Sequence, residues 1–429
     1  MLLMPFQILG VWVRAIFSIA LLAGSVYLLK QWYDHREVVL DRPAVAVVKR
    51  DPANTDHPPP DDSRRVVGQT ADGRAIVWWE FGWNRETAFL LGGVALLFWS
   101  VGGGFSWPMI LRRRGKDEPH SARGEGEVRR LKRDDGTELQ VELLGPANGT
   151  PIVMTHGWGL DVDEWYFARR LAEKHRVILW DLPGLGESKG PRTNDWSLEK
   201  LAGDLDAVIA LAGERKAFVV GHSIGGMIAL TYAKLYRDSL PQRVAGMIIV
   251  HSTFTNPCRT AKWALVYTTI QKPILEPLCW LMIGLAPLFW LMNWLSYLNG
   301  SAHRSTSKSS FSGQETRGQL EFMTRYYIAA WPSVVARGFL GMFRYDATDA
   351  LPRITIPTLV ISADRDEMCI PEASKYMAHA MPNARLATIH DARHCGLFER
   401  HHRFDALVDE FVAEVASPTV PAEKSSMLK

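Results

Sequence analysis

Cysteine is scarce: 429 residues hold four, Cys258, Cys279, Cys369 and Cys395, with no Cys-x-x-Cys pair. That excludes a disulfide framework or a cysteine-built zinc cage as the organising principle and fits a reducing compartment. Excess charge of either sign is also missing. Forty-nine Lys and Arg against 46 Asp and Glu leave a net charge of +3, so nothing in the charge balance points to a nucleic-acid partner. No internal repeat is evident. His390 and His394 are four apart, but no glutamate follows His390 and they straddle a strand end, so no metal and no cofactor is expected. What is abundant is apolar surface: 47% of residues are hydrophobic, too many for a disordered chain. Sixteen tryptophans, several in apolar stretches, point to membrane contact.

Two long apolar runs dominate the first quarter. From Ile8 to Leu29 the only charge is Arg14, and from Thr87 to Ile110 there is none. Both reach the roughly 20 residues a helix needs to cross the ~30 Å hydrocarbon core, so spans over about 8–29 and 87–110 are expected. Arg14 lies under two turns from the start and can snorkel to the near surface. Against a signal peptide, the first run lacks a basic leader, is long, and has no small-x-small site followed by a mature-looking start. Arg112, Arg113, Arg114 and Lys116 crowd the exit of the second run more densely than Lys30, Arg36, Arg74 and Arg85 flank the intervening loop. The denser basic cluster should stay inside, which places everything after Arg112 on the cytoplasmic side. Loop 31–86, with Pro58-Pro59-Pro60 and Asp61-Asp62, reads as an extended connector holding one short hairpin. Residues 1–122 thus form a membrane anchor.

From about Arg123 short β-rich runs alternate with helical periodicity, the signature of an α/β fold with a mostly parallel sheet. Val128–Arg133 and Glu138–Leu144 flank the turn signal Asp135-Gly136. Apolar runs typical of strands buried on both faces follow: Ile152–Thr155, Val177–Trp180, Ala217–Val220, Gly246–Val250, Thr358–Ser362 and Arg385–Ile389. Amphipathic stretches separate most of them. More than a hundred residues between Val250 and Thr358 lack a clear strand, so a helical insertion, 251–345, interrupts a core made of 123–250 and 346–416.

The sharpest motif is Gly221-His222-Ser223-Ile224-Gly225, directly after a strand and before a helical run. A nucleophile at so tight a turn sits in strained backbone, and side chains in place of the glycines would collide with the adjacent strand and helix. The turn lifts the Ser223 hydroxyl from the sheet toward a helix N-terminus, where developing negative charge is favoured.

With that motif stand His156-Gly157-Trp158-Gly159, Asp181-Leu182-Pro183-Gly184-Leu185-Gly186-Glu187-Ser188, Asp364-Arg365-Asp366 and Arg393-His394, each after a predicted strand. From about Leu143 to Val415 the chain resembles α/β-hydrolase-fold enzymes. The resemblance implies an eight-stranded, mostly parallel sheet with an α-helical cap. It also implies Ser223 as nucleophile, His394 as base, Asp366 as the acid, and the backbone N–H groups of Trp158 and Ile224 as an oxyanion hole. Asp364 stays open as the acid, because Ala363 replaces the usual glycine of that turn and Pro371 comes one residue late.

His222 is expected to pack beside the nucleophile, Cys395 to fill space, Asp181 to hold its own turn, and His401-His402 to lie on a solvated helix surface. Pro277 to Leu298 is uncharged and rich in Leu, Met, Trp and Phe. As a third span it would separate Ser223 from Asp366 and His394, so helices lying in the membrane interface or a lid over an apolar pocket are expected. Ser301 to Ser312 reads as a flexible hinge and 417–429 as a disordered tail. Together these features point to a membrane-anchored serine hydrolase acting on carboxylic esters of lipophilic substrates through an acyl-enzyme, with the lipophilic ester and membrane lipids as its expected partners. The alternatives are a thioesterase, amidase or C–C bond hydrolase with the same triad, or a non-catalytic scaffold of the same fold.

Overall fold

The computed structural model describes residues 6–43, 66–78 and 81–416. Pro58–Asp62 and the tail 417–429, both read above from the sequence, lie outside the described residues. The chain divides into two compact units, Ile16–Gly103 and Met1–Ala15 with Gly104–Lys429.

In the first unit run most of α1 (Phe6–His35) and α2 (Arg85–Leu111), both long and apolar enough to cross a membrane. Small residues let them pack closely: a Cβ on Gly93 would lie 2.7 Å from Leu29 Cγ, and Ser25 Oγ donates to Gly93 O at 2.9 Å. Between the helices the expected single hairpin is one part of a three-stranded antiparallel sheet. Its strands are β1 (Glu37–Pro43), β2 (Val66–Gln69) and β3 (Arg74–Trp78), in the order β1-β3-β2. Asp72-Gly73 turns the hairpin with Gly73 at φ +81°, and Ala75 and Val77 are fully buried. The third strand escaped notice because β1 directly continues α1 without a turn signal.

The second unit is built on an eight-stranded sheet. In chain order its strands are β4 (Glu127–Lys132), β5 (Glu138–Leu144), β6 (Thr150–Thr155), β7 (His175–Trp180), β8 (Ala217–His222), β9 (Val244–Val250), β10 (Thr358–Ala363) and β11 (Ala384–Ile389). They lie in the order β11-β10-β9-β8-β6-β7-β5-β4, parallel from β7 to β11, with β4 and β5 antiparallel at one edge. The strands predicted from the apolar runs are all present. They run apolar because both sheet faces are covered: separate buried clusters lie on the two sides, one around Leu201, Met227 and Ile249, the other around Trp165, Val220 and Phe411. Helices α3 (Leu198–Ile209), capped by Ser197, and α4 (Ile224–Leu235) pack on the first side.

The insertion between β9 and β10 is helical. It comprises α5 (Ala264–Ile270), α6 (Glu276–Gly284), α7 (Ala286–Leu298), α8 (Ser301–Ser310), α9 (Arg317–Ala329) and α10 (Pro332–Met342). The apolar stretch is not one straight span, since the chain bends by 98° between α6 and α7. Moreover β9 and β10 are hydrogen-bonded neighbours, so the insertion leaves and re-enters at one sheet. Cys279, Met282 and Phe289 bury one face of these helices, while Trp280, Leu281, Leu288, Trp290 and Leu291 are exposed on the other.

The serine-rich segment is a correction. Rather than a hinge, Ser301–Ser310 forms α8 after Gly300 in the left-handed region. Weak helix propensity is overridden by tertiary bonds: Ser307 Oγ donates to Glu315 Oε1 at 2.7 Å, His303 Nε2 meets Glu321 Oε2 at 2.8 Å, and Arg112 donates to Ser307 Oγ at 2.9 Å. Arg112 also pairs with buried Glu315 at 2.6 Å, so one member of the basic cluster after α2 is internally compensated. Helix α11 (Pro371–Ala380) and the C-terminal α12 (His401–Ala416) complete the described chain.

Candidate active site

The ends of β6, β8, β10 and β11 converge on one point. Leaving β8, the chain turns at Ser223 with φ +54° and ψ −117°, then enters α4. Its flanking glycines are sterically required: a Cβ on Gly221 would stand 2.3 Å from Gly225 C, and one on Gly225 2.3 Å from Thr155 O. Ser223 N donates to Val250 O at 3.0 Å and Ser252 Oγ donates to Ser223 O at 2.6 Å, which fixes the strained turn from the neighbouring strand.

Ser223 Oγ lies 3.0 Å from His394 Nε2, and His394 Nδ1 lies 2.8 Å from Asp366 Oδ2. All three residues are buried. The other Asp366 oxygen accepts the N–H groups of Met368 at 2.7 Å and Cys369 at 3.1 Å. Burial alone would raise its pKa, but the facing His394 and the Cys369 N–H hold it below the ordinary aspartate value. Asp364 points elsewhere, accepting from Asp391 N at 3.1 Å and Ala392 N at 3.2 Å and meeting His390 at 3.3 Å. Of the two candidate acids, the fold brings Asp366 to His394.

Ile224 opens α4, so its N–H lacks an intrahelical acceptor. Trp158 follows β6 in the His156-Gly157 loop, and neither N–H is hydrogen-bonded among the described residues. The Trp158 ring is seated in the cap: Nε1 donates to Val335 O at 2.9 Å, and a Cβ on Gly338 would strike the ring at 2.0 Å. Thus the candidate oxyanion loop and α10 are locked together.

Two residues that sequence reasoning missed complete the site. Glu164, fully enclosed in a short 3-10 turn, accepts the Gly157 N–H on Oε2 at 2.7 Å and places Oε1 2.5 Å from His222 Nδ1. Although burial would raise its pKa, the charge and hydrogen bond of His222 and the Gly157 N–H hold it below the glutamate norm. His222 Nε2 then donates to the carbonyl of His394 at 3.0 Å, and His251 Nδ1 donates to the same carbonyl at 2.9 Å. Burial, with the nearby His222 charge, lowers the His251 pKa to about 3, so it is neutral. Glu164 was hidden because its sequence neighbours Asp161 and Asp163 are equally acidic; only the fold separates them.

The remaining expectations divide. Cys395 is buried, its thiol pushed up by burial, with Tyr327 Oη 3.4 Å from Sγ. Asp181 accepts Glu187 N at 2.8 Å within its own turn, but also Val162 N at 2.9 Å and Arg123 at 2.9 Å, so it ties three segments. His401 is a correction: half-buried, it stacks on Phe167 at 3.8 Å between ring centres, and burial lowers its pKa to about 4. His402 is exposed.

Residues 150–401 match the family model described as alpha/beta hydrolase fold. Among curated proteins the chain is similar to a putative carbamate hydrolase RutD of Variovorax paradoxus, 25% identical over 66% of this chain and 99% of that one. It is likewise similar to a pimeloyl-[acyl-carrier protein] methyl ester esterase of Aeromonas hydrophila, 24% identical over 64% of this chain and 99% of that one. Among solved structures, a thermophilic esterase from Thermogutta terrifontis superposes with a TM-score of 0.55 at 25% identity, covering 68% of this chain and all (100%) of that one. With the fold, the strand order and the family match in agreement, this chain is a member of the alpha/beta hydrolase family, with esterase- and hydrolase-type relatives.

Proposed function

We propose that this chain is a membrane-anchored serine hydrolase that cleaves carboxylic esters of lipophilic substrates through an acyl-enzyme. The observation that carries the reading is the unbroken sequence hydroxyl, imidazole, carboxylate at 3.0 and 2.8 Å. His394 Nε2 takes the Ser223 proton as Oγ attacks the ester carbonyl. Asp366 fixes the tautomer and stabilises the imidazolium. The N–H groups of Trp158 and Ile224 receive the oxyanion, each such donor being worth about 10²–10³ in rate. Collapse expels the alcohol with the proton from His394; water, deprotonated by His394, then releases the acid and restores Ser223.

The esterase relatives support an ester as the bond cleaved, beside a putative carbamate hydrolase among the relatives, and the apolar surface of the cap supports a lipophilic substrate. Residues 1–122 serve as the anchor, 123–250 with 346–416 as the catalytic core and 251–345 as the cap, with the core on the cytoplasmic face. A fluorophosphonate probe should label Ser223, and Ser223→Ala should lose both labelling and hydrolysis of 4-nitrophenyl esters. A folded protein that refuses the probe would instead be a scaffold. A reporter fused after Lys429 should behave as cytoplasmic, and a signal from the opposite side would reverse the orientation.

A further inference from the structure

Beside the reacting centre, between the cap and the loop after β6, lies a cavity of about 70 Å³. One wall is Trp158, Gly159 and Tyr327. Trp158 carries a candidate oxyanion N–H, and the Tyr327 hydroxyl lies 3.4 Å from Cys395, the neighbour of His394. The other wall holds Arg14, Asn293 and Ser305, with Arg14 donating to Ser305 Oγ at 3.0 Å. Among the described residues that line the cavity, Arg14 is the one that carries a charge.

Arg14 belongs to α1, whose segment Leu9–His35 is long and apolar enough to span a membrane. An ionisable residue kept in such a segment marks function by default, because apolar surroundings make its charge costly. Its guanidinium offers a planar fork of donors matched to a carboxylate or phosphate, and in a water-poor cavity that match is strengthened. Hydroxyl and amide groups beside it add neutral donors without repelling an anion. Thr306 and Ser309 add two more hydroxyls, and the rest of the lining, including Val11, Met282 and Phe339, is apolar.

We propose that this cavity is a substrate subsite in which Arg14 binds an anionic group, a carboxylate or a phosphate, carried by the ester some distance from the bond to be cleaved. The proposal rests on the ester-hydrolase reading above and narrows its substrate class to anionic amphiphiles. The anion could sit at the far end of the acyl chain or on a lipid headgroup; both present the same oxygens to Arg14.

The test uses the full-length enzyme in detergent micelles and three 4-nitrophenyl esters matched in chain length: a plain alkanoate, the half-ester of a dicarboxylic acid, and an alkanoate bearing a terminal phosphate. The readout is the ratio of kcat/KM for each anionic ester to that for the plain one. In Arg14→Gln this ratio should fall about 10- to 100-fold for the anion the site prefers, through KM, the range expected for a lost charge-assisted hydrogen bond. Arg14→Lys should restore part of it. Which of the two anionic esters responds identifies the source. Unchanged ratios in Arg14→Gln, with fluorophosphonate labelling of Ser223 intact, would overturn the anionic subsite and leave ester hydrolysis standing. A wild-type enzyme that hydrolyses none of the three esters would overturn the ester reading, and this proposal with it.

Discussion

Glu164 offers the most informative perturbation, because it bonds to the oxyanion loop and the nucleophile turn at once. Its two oxygens hold the Gly157 N–H at 2.7 Å and face His222 Nδ1 at 2.5 Å, and His222 in turn holds the His394 carbonyl at 3.0 Å. Glu164→Ala leaves the buried Gly157 N–H without an acceptor and His222 Nδ1 without its carboxylate partner. Leaving a buried polar group unpaired costs about 1–3 kcal/mol. Gly157 precedes Trp158, so a released Gly157 peptide lets the candidate oxyanion donor rotate out of place. The expected loss is therefore in kcat, about 10²-fold, the value of one such donor, with KM little changed. Glu164→Gln keeps a carbonyl for Gly157 N–H and an amide that can pair with His222 Nδ1, so it should stay within about tenfold of wild type. Steady-state kinetics on a 4-nitrophenyl ester, with thermal melting of the same preparations, separate the two effects. An Ala variant with wild-type kcat and melting temperature would refute this account. A Gln variant as impaired in kcat as the Ala variant would refute the claim that geometry, rather than the negative charge, is what Glu164 supplies.

Further outcomes follow from other contacts. Asp366→Asn should lower kcat by about 10⁴ through loss of the correct His394 tautomer, whereas Asp364→Asn, which only loosens the turn at Asp391 and Ala392, should stay within about tenfold; equal losses would void the assignment. His251 has a folded pKa of about 3 against an ordinary value of about 6.5, so the unfolded chain binds the extra proton between them. Its contribution is thus complete above pH 6.5 and erodes at up to about 1.4 kcal/mol per pH unit as pH falls toward 3. The pH dependence of urea midpoints from pH 7 to 4 should accordingly be shallower in His251→Gln; parallel curves would contradict it. Gly338→Ala places a methyl 2.0 Å from the Trp158 ring, so it should unseat that ring and lower kcat, read together with a change in tryptophan fluorescence.

The primary sequence alone determined the parts that depend on local pattern. Apolar runs longer than 20 residues, one broken only by Arg14 and the other uncharged, can only be helices if they are to satisfy their backbone in lipid, and both formed. Strands covered on both faces must be continuously apolar, so β6, β8, β9 and β10 were visible as short Val- and Ile-rich runs. A strand, a Gly-x-Ser-x-Gly turn and a helix left room for one geometry at Ser223. Tertiary structure decided whatever depends on which chemically equivalent residue faces which partner. Asp364 and Asp366 are both acids at one strand end, and only the path of the turn carries Asp366 to His394. Glu164 gains its role because the loop after β6 folds back over β8, a long-range juxtaposition without a local signature. Ser301–Ser310 has the composition of a linker, yet it is a helix because Arg112, Glu315 and Glu321 bond its inward face. Propensity is worth tenths of a kcal/mol per residue, and buried polar partners outweigh it.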